Sequence, residues 1–414
     1  MNLINNLKIG GCLGAMKNLN RYLTTFSADY AGASNVVYEM EGLLIVHDPN
    51  SCAGHAYGID EPRFFVSPRP SFSTNIKEIE AITGNDQKQI QKIVYATDFF
   101  DVKFIPIIGS PVPALIGTDL NGIANSVEKK TNIPTVAIDT TGFDTYEKGV
   151  SKAYLSLAKK FTGSTYFTPD TCDVNIFGTV VTDNWDVDSV NYLKKKIHEC
   201  GVEKIACWGA DASLENITGA NKSKLNIVVS VSGLEIAEYM KEKYNIPYIC
   251  DFPVGNNAIQ RLCERIREKI NRERKSMRIN SEKKNSIYKR ILIINEQFQA
   301  DGIRKCLLED YAVEQVDCVS FFGWNLEMAQ ENDKKLLCEE TLEAYIEENE
   351  RYDLIIGDPV FRKVVECKAD CYLEMPHLAV STVINMYDSY QIIGEYGTKF
   401  FDYILEYGVE KKEC

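Results

Sequence analysis

No stretch of the 414-residue chain approaches the roughly 18 consecutive apolar residues of a membrane span. The opening segment from Met1 to Lys8 lacks the apolar core and small-residue cleavage site of a signal peptide. A cytoplasmic location is expected from these two absences. Thiols stay reduced there, so the 13 cysteines are not expected to pair; most read as small buried core residues, with a minority reactive or metal-bound. The chain also has no G-x-G-x-x-G turn and no Walker A lysine loop, which leaves a bound nucleotide unsupported. Nor does it have a basic excess: a net charge of −13 argues against general nucleic-acid binding. One segment, Arg267 to Arg290, is rich in Lys and Arg with only Glu268, Glu273 and Glu282 in opposition. It reads as a solvated helix end plus linker, or as a docking patch for an acidic partner.

What is present is ample core material, 45% hydrophobic against 25% charged, in a chain too long for one core. Short β-branched runs alternate with amphipathic stretches, the rhythm of βαβ units. Candidate strands include Gly42 to Val46, Phe104 to Ile108, Thr135 to Ile138, Val174 to Phe177, Lys204 to Trp208, Ile227 to Val231, Arg290 to Ile294 and Asp353 to Ile356. Helical periodicity is plain at Asp186 to Cys200, Leu234 to Tyr244, Asn256 to Arg274 and Glu339 to Glu350. Composition shifts at Phe161 to Cys172 and Arg278 to Lys289 divide the chain. The expected fold is α/β: three Rossmann-like domains (1–165, 166–280, 281–414) with parallel sheets flanked by helices.

An ordered set of segments then narrows the class. Ser27-Ala-Asp-Tyr-Ala-Gly-Ala33 precedes the strand Gly42 to Val46 and the loop His47-Asp-Pro-Asn-Ser-Cys-Ala-Gly54. Ala114 to Leu120, Ile133-Pro-Thr-Val136, Thr141-Gly-Phe143, Val174 to Gly178, Lys224 to Ile227, Glu242 to Tyr248, Tyr352 to Gly357 and Gly394 to Gly397 follow in order. The set resembles the nitrogenase component 1 family across nearly the whole chain. The resemblance implies an interfacial iron–sulfur cluster and a separate iron protein that hydrolyses ATP and delivers electrons to it.

Departures from the family pattern define the candidate site. Members holding a complete half-cluster place three cysteines on the first-domain loops; here those positions fall on Ala28, Cys52 and Pro111, the last beside Ser110. A [4Fe–4S] cluster normally takes four protein ligands, so Cys52 cannot hold one alone. Two completions are open. One is a homologous partner subunit with three cysteines, giving three plus one, as the dark-operative protochlorophyllide reductases join three cysteines to one aspartate at the loop matching Cys52. The other is a homodimer with extra ligands drawn from Asp29, Cys12 or Ser110. His47 and His55 flank the loop and read either as structural histidines or as hydrogen-bonding and proton-moving groups. Where nitrogenases hold their large cofactor by a cysteine, this chain has Ser230, and Met375-Pro-His377 lies near the place of the histidine ligand. A serine is a poor ligand for soft iron, so no FeMo-type cofactor is expected; the carboxyl-end loops of the second and third domains would shape an organic or tetrapyrrole-like substrate pocket instead. Cys367 and Cys371 lack a second pair, so zinc is not expected; Cys200 and Cys263 read as helical core cysteines. Three functions are compatible with these residues: a subunit of a nitrogenase-like reductase of some substrate other than dinitrogen, a non-catalytic scaffold for cofactor assembly, and a ligand-binding protein that has lost metal chemistry.

Overall fold

The structure, a computed structural model, describes residues 20–271, 282–365, 369–384 and 390–409. Thirteen strands among them form three sheets, each wholly parallel. The first holds β1 (Leu44–Val46), β2 (Ser71–Ser73), β3 (Ile105–Ile108) and β4 (Thr135–Ile138) in the order β2-β1-β3-β4. The second holds β5 (Val174–Thr179), β6 (Ile205–Gly209), β7 (Leu225–Val228) and β8 (Tyr248–Cys250), ordered β6-β5-β7-β8. The third has β9 (Arg290–Ile294), β10 (Gln315–Ser320), β11 (Lys334–Lys335), β12 (Tyr352–Gly357) and β13 (Ala369–Glu374), ordered β11-β10-β9-β12-β13. No described helix is long and apolar enough to cross a membrane.

The apolar runs form strands buried on both faces because alternate residues serve opposite layers. In the first sheet Leu43, Ile45, Ile105 and Ile107 pack on the helices Asp86–Thr97 and Leu120–Thr131 through Ile90, Ile93, Ile123 and Val127. Leu44, Val46 and Ile108 join the larger core that contains the helices Asp29–Val37 and Tyr146–Phe161. Burial of each such side chain stabilises by about 1.5–3 kcal/mol. The edge strands are less apolar: β2 is Ser-Phe-Ser and β11 is two exposed lysines, so neither carries the hydrophobic signal of a central strand.

All nine residues of Asp29–Val37 are buried, and the helix crosses Tyr146–Phe161 with backbone against backbone. A Cβ on Gly149 would stand 1.7 Å from the Asp29 carbonyl oxygen, and one on Gly32 2.1 Å from that of Tyr146. Only glycine permits this approach.

One expectation is revised. Cys200 and Cys263 are not separate core thiols but a disulfide, tying the end of the helix Val187–Glu199 to the helix Asn256–Asn271; the pairing arises from a tertiary crossing between residues 63 apart in sequence. In the basic segment, residues 272–281 lie outside the described residues. Of the rest, Lys284 pairs with Asp402, Lys289 with Glu314 and Arg290 with Glu350, so these cations serve the chain's own carboxylates.

Gly149→Ala is expected to lower stability by at least about 1–3 kcal/mol, the range for overpacking. Gly54→Ala, in a helix position whose Cβ meets nothing within 4 Å, should raise it by about 0.5–1 kcal/mol. Thermal or denaturant unfolding of the two variants checks the contrast.

Candidate functional site

In each sheet the chain leaves in one direction and later returns to build the other side, which creates a crevice at the carboxyl ends of two neighbouring central strands. The first sheet has this crevice between β1 and β3. Cys52 follows β1 and Ser110 follows β3, so the fold brings both expected residues to one place. Asn50, in a left-handed conformation with φ 91°, turns the chain into the helix Ser51–Gly58, and Cys52 is its second residue. The carboxylate of Asp48 accepts the Ala53 N–H at 3.0 Å and fixes that first turn.

The Cys52 thiol is half-buried and meets the hydroxyls of Tyr30, Ser51 and Ser110. Burial raises its pKa above the ordinary thiol value, the Asp48 carboxylate adds to this, and hydrogen bonds from the three hydroxyls oppose it. The same hydroxyls can solvate a thiolate once a cation has displaced its proton. Ser110 is fully buried and donates to the His47 carbonyl at 2.8 Å. Among the described residues no group of three or more His, Cys, Asp or Glu side chains can hold a metal ion. Cys52 therefore has no set of companion ligands of these types beside it among the described residues.

The remaining candidates separate. Asp29 is buried, but its Oδ1 accepts the Gly142 N–H at 2.6 Å and its Oδ2 accepts the Thr141 N–H at 2.9 Å and Lys152 Nζ at 3.1 Å. Those contacts fasten the helix Asp29–Val37 to the loop after β4. Cys12 and Cys367 lie outside the described residues. His47 is buried beside the Thr74 hydroxyl at 3.0 Å; burial, with Lys92 nearby, lowers its pKa to about 4 and keeps it neutral. His55 is different. Its Nδ1 lies 3.0 Å from the buried Asp60 carboxylate, whose hydrogen bond raises the imidazole pKa, and its ring meets Tyr30 edge-on at 6.4 Å. Ser27 donates to the other Asp60 oxygen at 2.7 Å. Tyr30 and Asp60 were not singled out from sequence; Tyr30 stands inside the same motif as Asp29, which was the available signal.

The corresponding crevices of the second and third sheets lie between β5 and β7 and between β9 and β12, and residues that follow β5, β7 and β9 meet through hydrogen bonds. Ser230 follows β7, Asp183 lies in the 3-10 turn Val181–Asp183 after β5, and Glu296 follows β9. Glu296 spans the two sheets by accepting the Val231 N–H at 2.9 Å and those of Phe298 and Gln299 at 2.9 and 3.0 Å. Tyr146 donates to Asp183 Oδ1. Tyr146, Phe322 and His377 pack as a ring cluster with centroids 5.0–5.8 Å apart. Ser230 Oγ is buried within 3.0 Å of Ser232 Oγ. At this place a neutral Ser230 hydroxyl offers soft iron little.

His377 Nδ1 accepts the Ala379 N–H at 3.3 Å, while its Nε2 has no partner and stands 3.7 Å from Asp183. Burial lowers its pKa to about 3. Burial also raises Asp183, aided by the charge of Glu296, and lifts Glu296 to about 7. In its unfolded state His377 titrates near 6.5, above its folded value, so its contribution is complete above pH 6.5 and is lost as pH falls toward 3. The stability difference between the wild type and His377→Asn is expected to stay flat above pH 6.5. Below it, the difference should shrink by up to about 1.4 kcal/mol per pH unit. Denaturant titrations across pH 4–8 measure this; a constant difference would show that His377 titrates alike in the folded and unfolded states.

The model of the family described as nitrogenase component 1 type oxidoreductase matches residues 28–329. A nitrogenase iron-molybdenum cofactor biosynthesis protein, NifE, of Clostridium pasteurianum is 28% identical over 253 residues, covering 58% of this chain and 54% of that protein. A nitrogenase molybdenum-iron protein alpha chain of Methanothermobacter thermautotrophicus is 25% identical over 269 residues, 60% of this chain and 54% of that one. The match thus spans about half the length of these curated relatives. A solved structure titled Nitrogenase Cp1 at pH 6.5 shares the fold with a TM-score of 0.73 at 12% identity, covering 97% of this chain and 96% of its own. The ordered motifs, the three parallel sheets and the family match over most of the chain agree: this protein belongs to the nitrogenase component 1 type oxidoreductase family.

Proposed function

We propose that the chain is a catalytic-component subunit of a nitrogenase-like reductase whose Cys52 supplies one ligand to a [4Fe–4S] cluster shared with a homologous partner subunit. The partner supplies the other three thiolates, and an ATP-dependent iron protein delivers electrons to the cluster for a substrate other than dinitrogen. The observation that carries this reading is the Cys52 thiol at the β1–β3 crevice, half-exposed and ringed by three hydroxyls. Apolar side chains stand out on the elements beside it. Leu115, on the helix that Ser110 opens, is 73% exposed, and Phe143, next to a loop packed on Pro111, is 66% exposed. Such residues suit burial against a second subunit. Cys52 ligates iron, the Tyr30 hydroxyl donates toward its sulfur, and burial of the interface would tune the cluster potential.

Coexpression of the chain with its partner subunit and anaerobic purification tests the assignment. Cys52→Ala should reduce bound iron and acid-labile sulfide several-fold while the subunits still associate. Unchanged cluster content would refute it.

A scaffold role in cofactor assembly is the second reading, favoured by the cofactor biosynthesis proteins among the relatives. Sustained electron flow through the complex with iron protein and ATP supports the reductase. Its absence, together with release of the cluster to an acceptor protein, supports the scaffold.

A further inference from the structure

A cavity of about 500 Å³ opens where the loops after β5 and β6, the turn after β13 and the 3-10 turn Pro62–Phe65 meet. It is separate from both the Cys52 crevice and the filled ring cluster. Its walls are buried and apolar: Val181, Trp185, Ala210 and Leu378 are each less than a tenth exposed. At its mouth Val66 and Val187 are 86% and 55% exposed. This volume is of the size that suits a small molecule rather than a peptide.

The polar groups on the wall are already satisfied by one another. The Arg63 guanidinium donates to both Glu61 oxygens at 2.7 and 2.6 Å, to Glu39 at 3.2 Å and to the Asn35 carbonyl at 2.9 Å. The second Glu39 oxygen takes Arg69 at 3.2 Å, so two cations face two anions and no net charge is left for a ligand ion. Asn184 donates to the Pro376 carbonyl at 2.8 Å and accepts the Leu378 N–H at 3.1 Å. At the rim the Asp186 carboxylate caps its own helix and would repel an anion. Thr382 lines the same cavity with φ 53°, a conformation unfavourable for a β-branched residue and characteristic of functional sites.

We propose that this cavity binds a neutral, predominantly apolar organic molecule of ring-system size. The inference deepens the reductase reading by naming the chemical class of its ligand. Binding itself needs neither cluster nor electrons. The segment running from Cys52 through the helix Ser51–Gly58 to Pro62 links the two places, and its helix is about 12 Å long.

Nile red, a neutral apolar dye, is the probe for titration of the full chain. One saturable site per chain with blue-shifted emission is expected. Val187→Glu, which places a charge at an exposed helix start that tolerates it, should weaken binding at least tenfold, and Ser67→Trp should do so by blocking the mouth. Cys52→Ala should bind the dye as the wild type does, so loss of the cluster assignment and loss of this one are told apart. Dye binding that persists in both mouth variants but disappears in Leu115→Glu would assign it to the exposed face near Cys52 and overturn the proposal. Tighter binding of an anionic naphthalene sulfonate dye at the same site would overturn the neutral class.

Discussion

The contact on which the rest depends is the crossing of Asp29–Val37 with Tyr146–Phe161, where Gly32 and Gly149 let two backbones touch. One helix places Tyr30 against Cys52 at its outer end, and the other sends Tyr146 into the space shared by the second and third sheets. Asp29 then locks the crossing by holding the loop after β4. A larger residue at either glycine would part the helices and shift both polar centres together. Both centres thus rest on one packing constraint.

The convergence of three crevices has a chemical corollary. Parallel sheets gather the ends of their strands, and the polar residues there, at one side of each layer. Here the first crevice presents a thiol outward, while the other two turn inward and are closed by their own rings and carboxyl groups. Buried acids at Asp183 and Glu296 are tolerable because backbone N–H groups and the Tyr146 hydroxyl solvate them, and because burial favours their neutral forms. Exposure of a thiol and filling of the interior are thus divided between crevices of the same architectural type.

Much of the architecture was legible in the sequence, because buried central strands such as β3 and β9 must be continuous β-branched runs. The short edge strands β2 and β11 were not, since their pairing depends on neighbours and not on their own apolarity. Cys52 and Ser110 were legible as a pair only through their order within the family pattern; periodicity alone would not have joined residues on different strands. The fastening contacts of Asp29 were not legible for a related reason, as its partners, Thr141 and Gly142, approach only in three dimensions. The Cys200–Cys263 bond escaped for the same cause. Charge balance around Arg63 was equally hidden, because Glu39, Glu61 and Arg69 converge from separate turns.

The outermost strand of the third sheet, β11, consists of Lys334 and Lys335, both exposed. A parallel sheet that ended on a long flat apolar strand would offer its free N–H and C=O groups to any extended polypeptide and invite aggregation. Two residues of like charge make that margin too short and too hydrated to template a foreign strand. Self-association through strand pairing is thereby discouraged along this rim, even though Leu337 stands exposed two residues beyond it.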